Sequence, residues 1–275
     1  MKRLFVNLFE FYLNSSIHVS FAVVCLALIT FRRFSIPIDF ELLAFIFFAT
    51  ISAYNFVKYA GIAKLHHLSL AKNLRYIQIF SLLAFGGLLY FIFQQTISVL
   101  LVSCILGSVT LLYALPVFNE NRNLRALPGI KIFVIAFVWA GATIFLPVMS
   151  ENSLILRDVL LEFLQRFLFV FVLILPFEIR DLKFDMAQLY TIPQKLGVYR
   201  TKILGYTLLG GFFLLEFLKQ NTTLIYISGL ITITVTLIFL LRNTRIRQGK
   251  YYSSFWVEAI PILWWGLMEV MLRVF

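Results

Sequence analysis

Long runs of apolar residues alternate with short polar connections along this 275-residue chain. Each run has close to the roughly 20 residues that a helix needs to cross the hydrocarbon core of a bilayer. Nine such runs are present, at about 15–31, 38–57, 74–94, 96–116, 129–149, 158–178, 201–218, 222–241 and 254–272. The pattern predicts an all-α, polytopic membrane bundle of nine transmembrane helices. We expect it to form a single domain over residues 1–275.

The composition supports this class of protein. Apolar residues make up 61% of the chain and charged residues 13%, and the mean hydropathy is +0.92, values that exclude a soluble globular domain. A net charge of +11 can indicate a nucleic-acid partner. Here the basic residues fall in the short connections, where they set topology and contact lipid headgroups. We therefore predict membrane lipid as a partner and no nucleic acid.

Lysine and arginine are unevenly distributed between alternate connections. If the N-terminus is cytoplasmic, the cytoplasmic segments hold 18 of these residues and the opposite side five, with Arg166 left inside a run. The positive-inside rule then places the N-terminus in the cytoplasm and the C-terminus on the opposite side. We expect a multi-pass protein of a membrane such as the bacterial inner membrane.

An acidic cluster follows the sixth apolar run. Glu178, Asp181 and Asp185 are spaced i, i+3 and i+7, which places them on one face of a helix. Carboxylates grouped in this way predict a hard divalent cation such as Mg²⁺, whose coordination is completed by phosphate oxygens of a substrate. The alternative is a solvated helix end in which Arg180 and Lys183 balance the acids.

The second and sixth runs end on the same, cytoplasmic side in this topology, at Asn55 and Glu178. A substrate with a charged head and an apolar tail suits such a place, because the head stays at the interface while the tail lies between helices. We expect a cavity that opens to the cytoplasm, with Asn55 and Asp181 facing each other across its mouth. Polar clusters at helix ends also disfavour a transporter, whose broken helices carry them at mid-membrane.

Two segments resemble those of the UbiA superfamily of intramembrane prenyltransferases. The pattern E-x-x-D-x-x-x-D that starts at Glu178, followed by TIPQKLG from Thr191, is similar to the superfamily's second aspartate-rich motif, whose first position is Asp. The segment LYALP from Leu112 resembles the tyrosine-proline segment at the cytoplasmic end of helix four. Nine helices with a cytoplasmic N-terminus also agree with that superfamily.

The superfamily's first motif, N-x-x-x-D-x-x-x-D, is only partly present. Asn55 matches its first position, but Tyr59 and Ala63 stand where the acids are expected. The resemblance implies that two acidic motifs hold Mg²⁺ ions that draw the diphosphate from an allylic chain, so one such site remains here. Lys58 offers a substitute, because an ammonium contacts phosphate as a point charge. The alternative for Lys58 is a role in topology alone.

The resemblance implies a prenyltransferase that moves an isoprenyl group from an isoprenyl diphosphate to an aromatic or other lipophilic acceptor. Its catalytic residues, which also hold one Mg²⁺, are then Glu178, Asp181 and Asp185. The expected substrate-binding residues are Asn55, Lys58, Tyr113, Arg125, Lys131 and Lys195. The alternative is a catalytically inactive homologue that binds an isoprenoid lipid or a partner protein. The missing acids of the first motif favour this alternative, and the acids of the second favour the enzyme.

Glu162 and Arg166 are two charged residues inside the sixth apolar run. They are spaced i, i+4, so a helix places them side by side. We interpret them as a mutual charge pair rather than as a site.

Overall fold

The computed structural model describes residues 2–60, 71–115, 129–149, 155–183, 191–220 and 222–274. Within these ranges the chain forms ten α-helices and no β-strand. The helices are α1 (Lys2–Asn14), α2 (Ile17–Arg33), α3 (Phe40–Ala60), α4 (Ala71–Ile92), α5 (Ile97–Ala114), α6 (Ile130–Val148), α7 (Leu156–Asp181), α8 (Ile192–Leu214), α9 (Leu224–Asn243) and α10 (Ile260–Val274). A 3₁₀ turn, Leu215–Leu218, extends α8, and a π-helix, Tyr252–Val257, precedes α10.

The helices confirm a polytopic membrane bundle. In the described part of the chain, eight helical segments, from α3 onward, are long and apolar enough to cross a membrane. The pair α1 and α2 passes the same test only when taken together, which raises the number to nine. Their axes meet at 54°, and Ser16 at the bend has a left-handed backbone with φ 65°.

The sequence analysis did not predict α1. This helix has only 13 residues, and Glu10 and Asn14 interrupt its apolar pattern. It contacts α2 and α4, while Leu4, Phe5 and Leu8 are exposed. A short helix with an exposed apolar side beside membrane-spanning helices is typical of one that lies in the membrane interface.

The most buried helices lie at the middle of the bundle. Helix α7 packs against α6, α8 and α9, and α2 packs against α3, α6 and α10. Their inward side chains form one apolar core, in which Phe31, Ile144, Phe169 and Phe212 are almost fully buried. Helix α2 also packs directly on α6. The cytoplasm-facing cavity stays a prediction.

Helix α8 begins earlier than predicted, because its first residues, 192–200, precede the apolar run at 201–218. Gln194 Oε1 accepts a hydrogen bond from the Thr191 N–H at 2.9 Å, which is one half of a capping box. Pro193 lies in the first turn, where its missing N–H costs no helical hydrogen bond. At Gly197 the backbone has φ 76° and ψ 163°, and the helix is kinked there. The TIPQKLG segment thus starts and bends a helix.

We expect Gly197→Ala to destabilise the protein by about 1–3 kcal/mol, because this backbone region is almost restricted to glycine. A Cβ placed at Gly197 meets no heavy atom within 4 Å, so backbone strain is the whole cost. Gly210→Ala in the same helix is the matched control, with equal space around a Cβ but an ordinary helical backbone. It should stabilise by about 0.5–1 kcal/mol. Thermal unfolding in detergent measures both, and equal effects would contradict the prediction.

Candidate functional site

Four charged side chains meet where α7 ends and α6 begins: Lys131, Glu178, Arg180 and Asp181. We call them the acidic-end cluster. Lys131 Nζ lies 2.8 Å from Glu178 Oε1 and 3.6 Å from Asp181 Oδ2. The Arg180 guanidinium donates to Asp181 Oδ1 at 2.8 Å. Two of the three predicted acids and one predicted substrate-binding lysine are therefore neighbours.

Local helix geometry explains why these residues meet. Glu178 and Asp181 are one turn apart near the end of α7, so both side chains lie on the same side of the helix. Gly129 has φ 72° and turns the chain into α6, which places Lys131 in the first turn. A cation at a helix N-terminus is unfavourable, because it opposes the helix dipole. The two carboxylates offset that cost and join α6 to α7.

Burial differs across the cluster. The Glu178 side chain is 2% exposed, whereas those of Asp181 and Lys131 are 22% and 31% exposed. Although the Lys131 ammonium is close, Glu178 Oε1 receives no hydrogen bond of acceptable geometry. A buried carboxylate with one imperfect cationic partner is costly, and such groups in membrane helices are typical of functional sites. The alternative of a solvated helix end does not describe Glu178.

The two carboxylates suit a magnesium ion that is completed by substrate. Mg²⁺ is commonly held by one or two carboxylates together with waters and substrate phosphates. In the described ranges no group of three or more His, Cys, Asp or Glu is arranged to hold a metal. Asp185, the predicted third ligand, lies outside those ranges. The available donors, Glu178 and Asp181, therefore fit one Mg²⁺ that shares its coordination with a phosphate-bearing ligand.

Three further residues were predicted to bind substrate: Tyr113, Arg125 and Lys195. Tyr113 is buried near the end of α5 and interacts electrostatically with Lys131, which places it beside the acidic-end cluster. Lys195 is exposed in the first turn of α8. Arg125 lies outside the described residues. The roles of all three in substrate binding stay predictions.

Asn55 holds neighbouring helices together. Its Nδ2 donates to the Ser15 carbonyl at 3.1 Å and to Ser81 Oγ at 2.8 Å, and its Oδ1 accepts from Ser16 Oγ at 2.7 Å. The residue is 3% exposed. Among the described residues no hydrogen bond joins Asn55 to Asp181, so their expected position across a cavity mouth stays a prediction. The amide links α3 to α4 and to the α1–α2 bend.

Lys58 and Tyr59 hold the same bend. The Lys58 ammonium and the Tyr59 hydroxyl both donate to the Asn14 carbonyl at the end of α1, at 3.0 and 2.9 Å. Carbonyls at a helix C-terminus lack partners within the helix, so these two donors cap α1. Tyr59, which stands where the superfamily's first motif has an acid, thus has a structural role in this chain. The predicted phosphate contact of Lys58 stays a prediction.

We expect Tyr59→Phe to lower stability by about 0.5–1.5 kcal/mol, because one hydrogen bond to the Asn14 carbonyl is lost. Tyr59→Asp should cost more, about 1–3 kcal/mol, because it loses the same hydrogen bond and places an ionised carboxylate where a partly buried ring packs. Tyr199→Phe is the control, since Tyr199 is 76% exposed. Thermal unfolding of the purified variants checks the order, and a Tyr59→Asp protein as stable as wild type would contradict it.

The sequence analysis missed Glu258, between the π-helix and α10. This half-buried carboxylate interacts electrostatically with Lys58 and Arg180. It therefore extends the charged region from α3 to α7 and the last helix. A carboxylate inside an apolar run was the available signal, because such residues seldom face lipid.

A second charged group lies at the other end of α7, and we call it the buried ion network. Its members are Arg33, Glu162, Gln165, Arg166, Glu216 and Lys219. Lys219 Nζ lies against the Glu162 carboxylate and 2.9 Å from Glu216 Oε2. Arg33 Nη2 is 3.0 Å from Glu216 Oε1. None of these four side chains is more than 7% exposed.

The predicted Glu162–Arg166 pair is one part of this network, with 3.4 Å between Arg166 Nη2 and Glu162 Oε1. Arg166 also donates to the Leu26 carbonyl at 2.7 Å. The network thereby joins α2, α7 and the end of α8. Glu216 and Lys219, spaced i, i+3 at the end of an apolar run, were the signal for its larger extent.

The fold and these charged groups define the class of the protein: a polytopic α-helical membrane protein with a lysine–carboxylate cluster at one end of a central helix. No family model matches the sequence, and no curated protein matches it.

A solved structure has the same fold. The chain is similar, with a TM-score of 0.58 and 15% sequence identity, to the structure from "Structural and mechanistic insights into the biosynthesis of Digeranylgeranylglyceryl phosphate synthase in membranes". The similarity covers 100% of this chain and 98% of that chain. At this identity the similarity shows a shared fold.

Proposed function

We propose that this chain is a UbiA-like intramembrane prenyltransferase, which transfers an isoprenyl group from an isoprenyl diphosphate to a lipophilic acceptor. The observation that carries the proposal is the meeting of Lys131, Glu178 and Asp181 at one end of a buried helix. This helix lies in a bundle that has the fold of a digeranylgeranylglyceryl phosphate synthase structure along its whole length.

The acidic-end cluster suits the head of such a donor. The Lys131 ammonium and the Arg180 guanidinium are groups that bind phosphate oxygens. Both are partly exposed, at 31% and 30%, so a ligand can reach them. A Mg²⁺ ion held by Glu178 and Asp181 would neutralise charge on the departing diphosphate. The apolar tail of the donor would lie among the membrane helices, where no charge has to be buried.

The reaction breaks the C–O bond between the allylic carbon and the diphosphate, and the electron pair leaves with the diphosphate. The acceptor then forms its bond to that carbon and releases a proton to water. Negative charge on the leaving group grows as the bond breaks, so the cations Lys131 and Arg180 stabilise the transition state more than the ground state.

Binding without transfer is the second candidate function. It is favoured by the contacts of Asn55, Lys58 and Tyr59, which hold the α1–α2 bend where the superfamily's first motif would carry acids. A protein of this kind would bind an isoprenoid lipid or its diphosphate and leave the C–O bond intact.

One experiment separates the two functions. The purified protein in lipid nanodiscs is incubated with radiolabelled geranylgeranyl diphosphate, Mg²⁺ and a membrane lipid extract as the source of acceptors. Transfer predicts equimolar release of pyrophosphate and a labelled lipid product. Saturable binding without pyrophosphate release would support the non-catalytic function. Absence of saturable binding would overturn both.

A further inference from the structure

We infer that Lys131 competes with Mg²⁺ for Glu178 and Asp181, so that the metal binds weakly alone and tightly together with the diphosphate. The inference rests on the proposed function and describes the order in which its site is loaded. It assigns Lys131 a positioning role in addition to contact with phosphate.

The distances place the ammonium where a shared metal ion would bind. Lys131 Nζ contacts one oxygen of each carboxylate, at 2.8 and 3.6 Å. A Mg²⁺ ion bound by the same two carboxylates has oxygens at about 2.0–2.1 Å. The ion and the ammonium therefore seek the same oxygens, and repulsion between two cations so close together keeps them from sharing the position.

The charges of the cluster lead to the same conclusion. Lys131 and Arg180 neutralise Glu178 and Asp181, one cation for each carboxylate. A Mg²⁺ ion that arrives alone would add two positive charges to a neutral, partly buried group. A diphosphate that arrives alone would add several negative charges beside two carboxylates. When the two ligands bind as a pair, their charges largely cancel, so the free-energy cost of placing charge in a low-dielectric site falls.

The position of Lys131 allows it to change partners. Its side chain is 31% exposed, whereas that of Glu178 is 2% exposed, so the lysine is the partner with room to move. When the diphosphate binds, the ammonium can turn to phosphate oxygens and free both carboxylates for the metal. Each ligand then raises the affinity of the other by the same factor, as linkage requires.

The test uses Mn²⁺ as a spectroscopic probe for the metal site. Bound Mn²⁺ is measured by electron paramagnetic resonance in nanodiscs, with and without geranylgeranyl diphosphate, and the signal of the protein-free metal–diphosphate complex is subtracted. Wild type should bind Mn²⁺ about tenfold or more tightly when the diphosphate is present. Lys131→Met should bind Mn²⁺ without the diphosphate about tenfold more tightly than wild type, because its competitor is gone.

Two further variants serve as controls. Lys131→Arg keeps a cation beside the carboxylates and should bind Mn²⁺ as wild type does. A methionine variant that binds Mn²⁺ more tightly than wild type must be folded, so the expected gain in affinity also excludes a folding defect. Lys202→Met removes a lysine that donates to the Arg242 carbonyl at 2.7 Å and should leave Mn²⁺ binding unchanged.

Three results would overturn the inference. They are equal Mn²⁺ affinities of wild type and Lys131→Met without diphosphate, a wild-type affinity that the diphosphate leaves unchanged, and the absence of Mn²⁺ binding to Lys131→Met. Failure of every variant to bind the diphosphate would instead overturn the proposed function. The competition between lysine and metal would still be decided by the titrations with metal alone.

Discussion

Asp181→Asn is expected to abolish Mg²⁺-dependent binding of an isoprenyl diphosphate and to lower any transfer rate by roughly 100-fold or more. The amide keeps the shape of the side chain but removes a negative charge that the ion requires. It also leaves Arg180 without its 2.8 Å carboxylate partner. Binding of radiolabelled diphosphate with Mg²⁺ or with a chelator, followed by pyrophosphate release, measures both effects.

Asp39→Asn is the matched control for this change. Asp39 Oδ1 accepts hydrogen bonds at 2.9 Å from the backbone N–H groups of Glu41 and Leu42, and Asn caps a helix about as well as Asp. It lies at the start of α3, whereas Asn55 and the α1–α2 bend lie near the other end of that helix. This variant should bind and react as wild type does. Mg²⁺-dependent binding that survives in Asp181→Asn would show that the acidic-end cluster does not hold the metal.

The largest loss of stability is expected for Lys219→Met in the buried ion network. The substitution removes the ammonium that contacts both Glu162 and Glu216, each only 3% exposed. Breaking a buried ion pair by removing one partner costs about 3–5 kcal/mol. Arg33 and Arg166 still face the two carboxylates in this variant, so we expect a loss at the lower end of that range. Thermal unfolding in a mild detergent, monitored by circular dichroism, measures this loss.

Lys250→Met is the control for the network. Its ammonium also contacts a glutamate, Glu10, but the lysine side chain is 67% exposed, and an exposed pair contributes only about 0–1 kcal/mol. The double variant Glu162→Gln with Lys219→Met should be less unstable than the sum of its single variants, because the two residues interact directly. Equal stability losses in Lys219→Met and Lys250→Met would mean that the network does not hold the bundle together.

The membrane-spanning helices were largely predictable from sequence, because the length of an apolar run directly reflects the thickness of the bilayer core. α1 was not, since a short amphipathic helix leaves no run of that length. The start of α8 was missed for a different reason. Thr191 and Gln194 form a helix-capping pair, but this segment lies between the apolar runs 158–178 and 201–218, so it was not predicted as part of a helix.

The partners of charged side chains were much less predictable. Spacing along one helix correctly predicted that Glu178 lies near Asp181 and that Glu162 pairs with Arg166. The contact of Lys131 with Glu178 joins two helices, and it depends on how each helix is rotated within the bundle. Spacing along the chain carries no information on that rotation. The same holds for Arg33 and Glu216, whose contact at 3.0 Å joins distant parts of the chain.

The buried ion network also sets a time order on the assembly of the protein during synthesis. Arg33 leaves the ribosome long before Glu216 exists, so a growing chain holds a cation whose closest carboxylate has not yet been made. A chain that stops before Glu216 would keep Arg33 without its closest carboxylate. The network can thus form completely only after α8 has been inserted, and a chain truncated before Glu216 would hold Arg33 and Arg166 with Glu162 as their shared carboxylate.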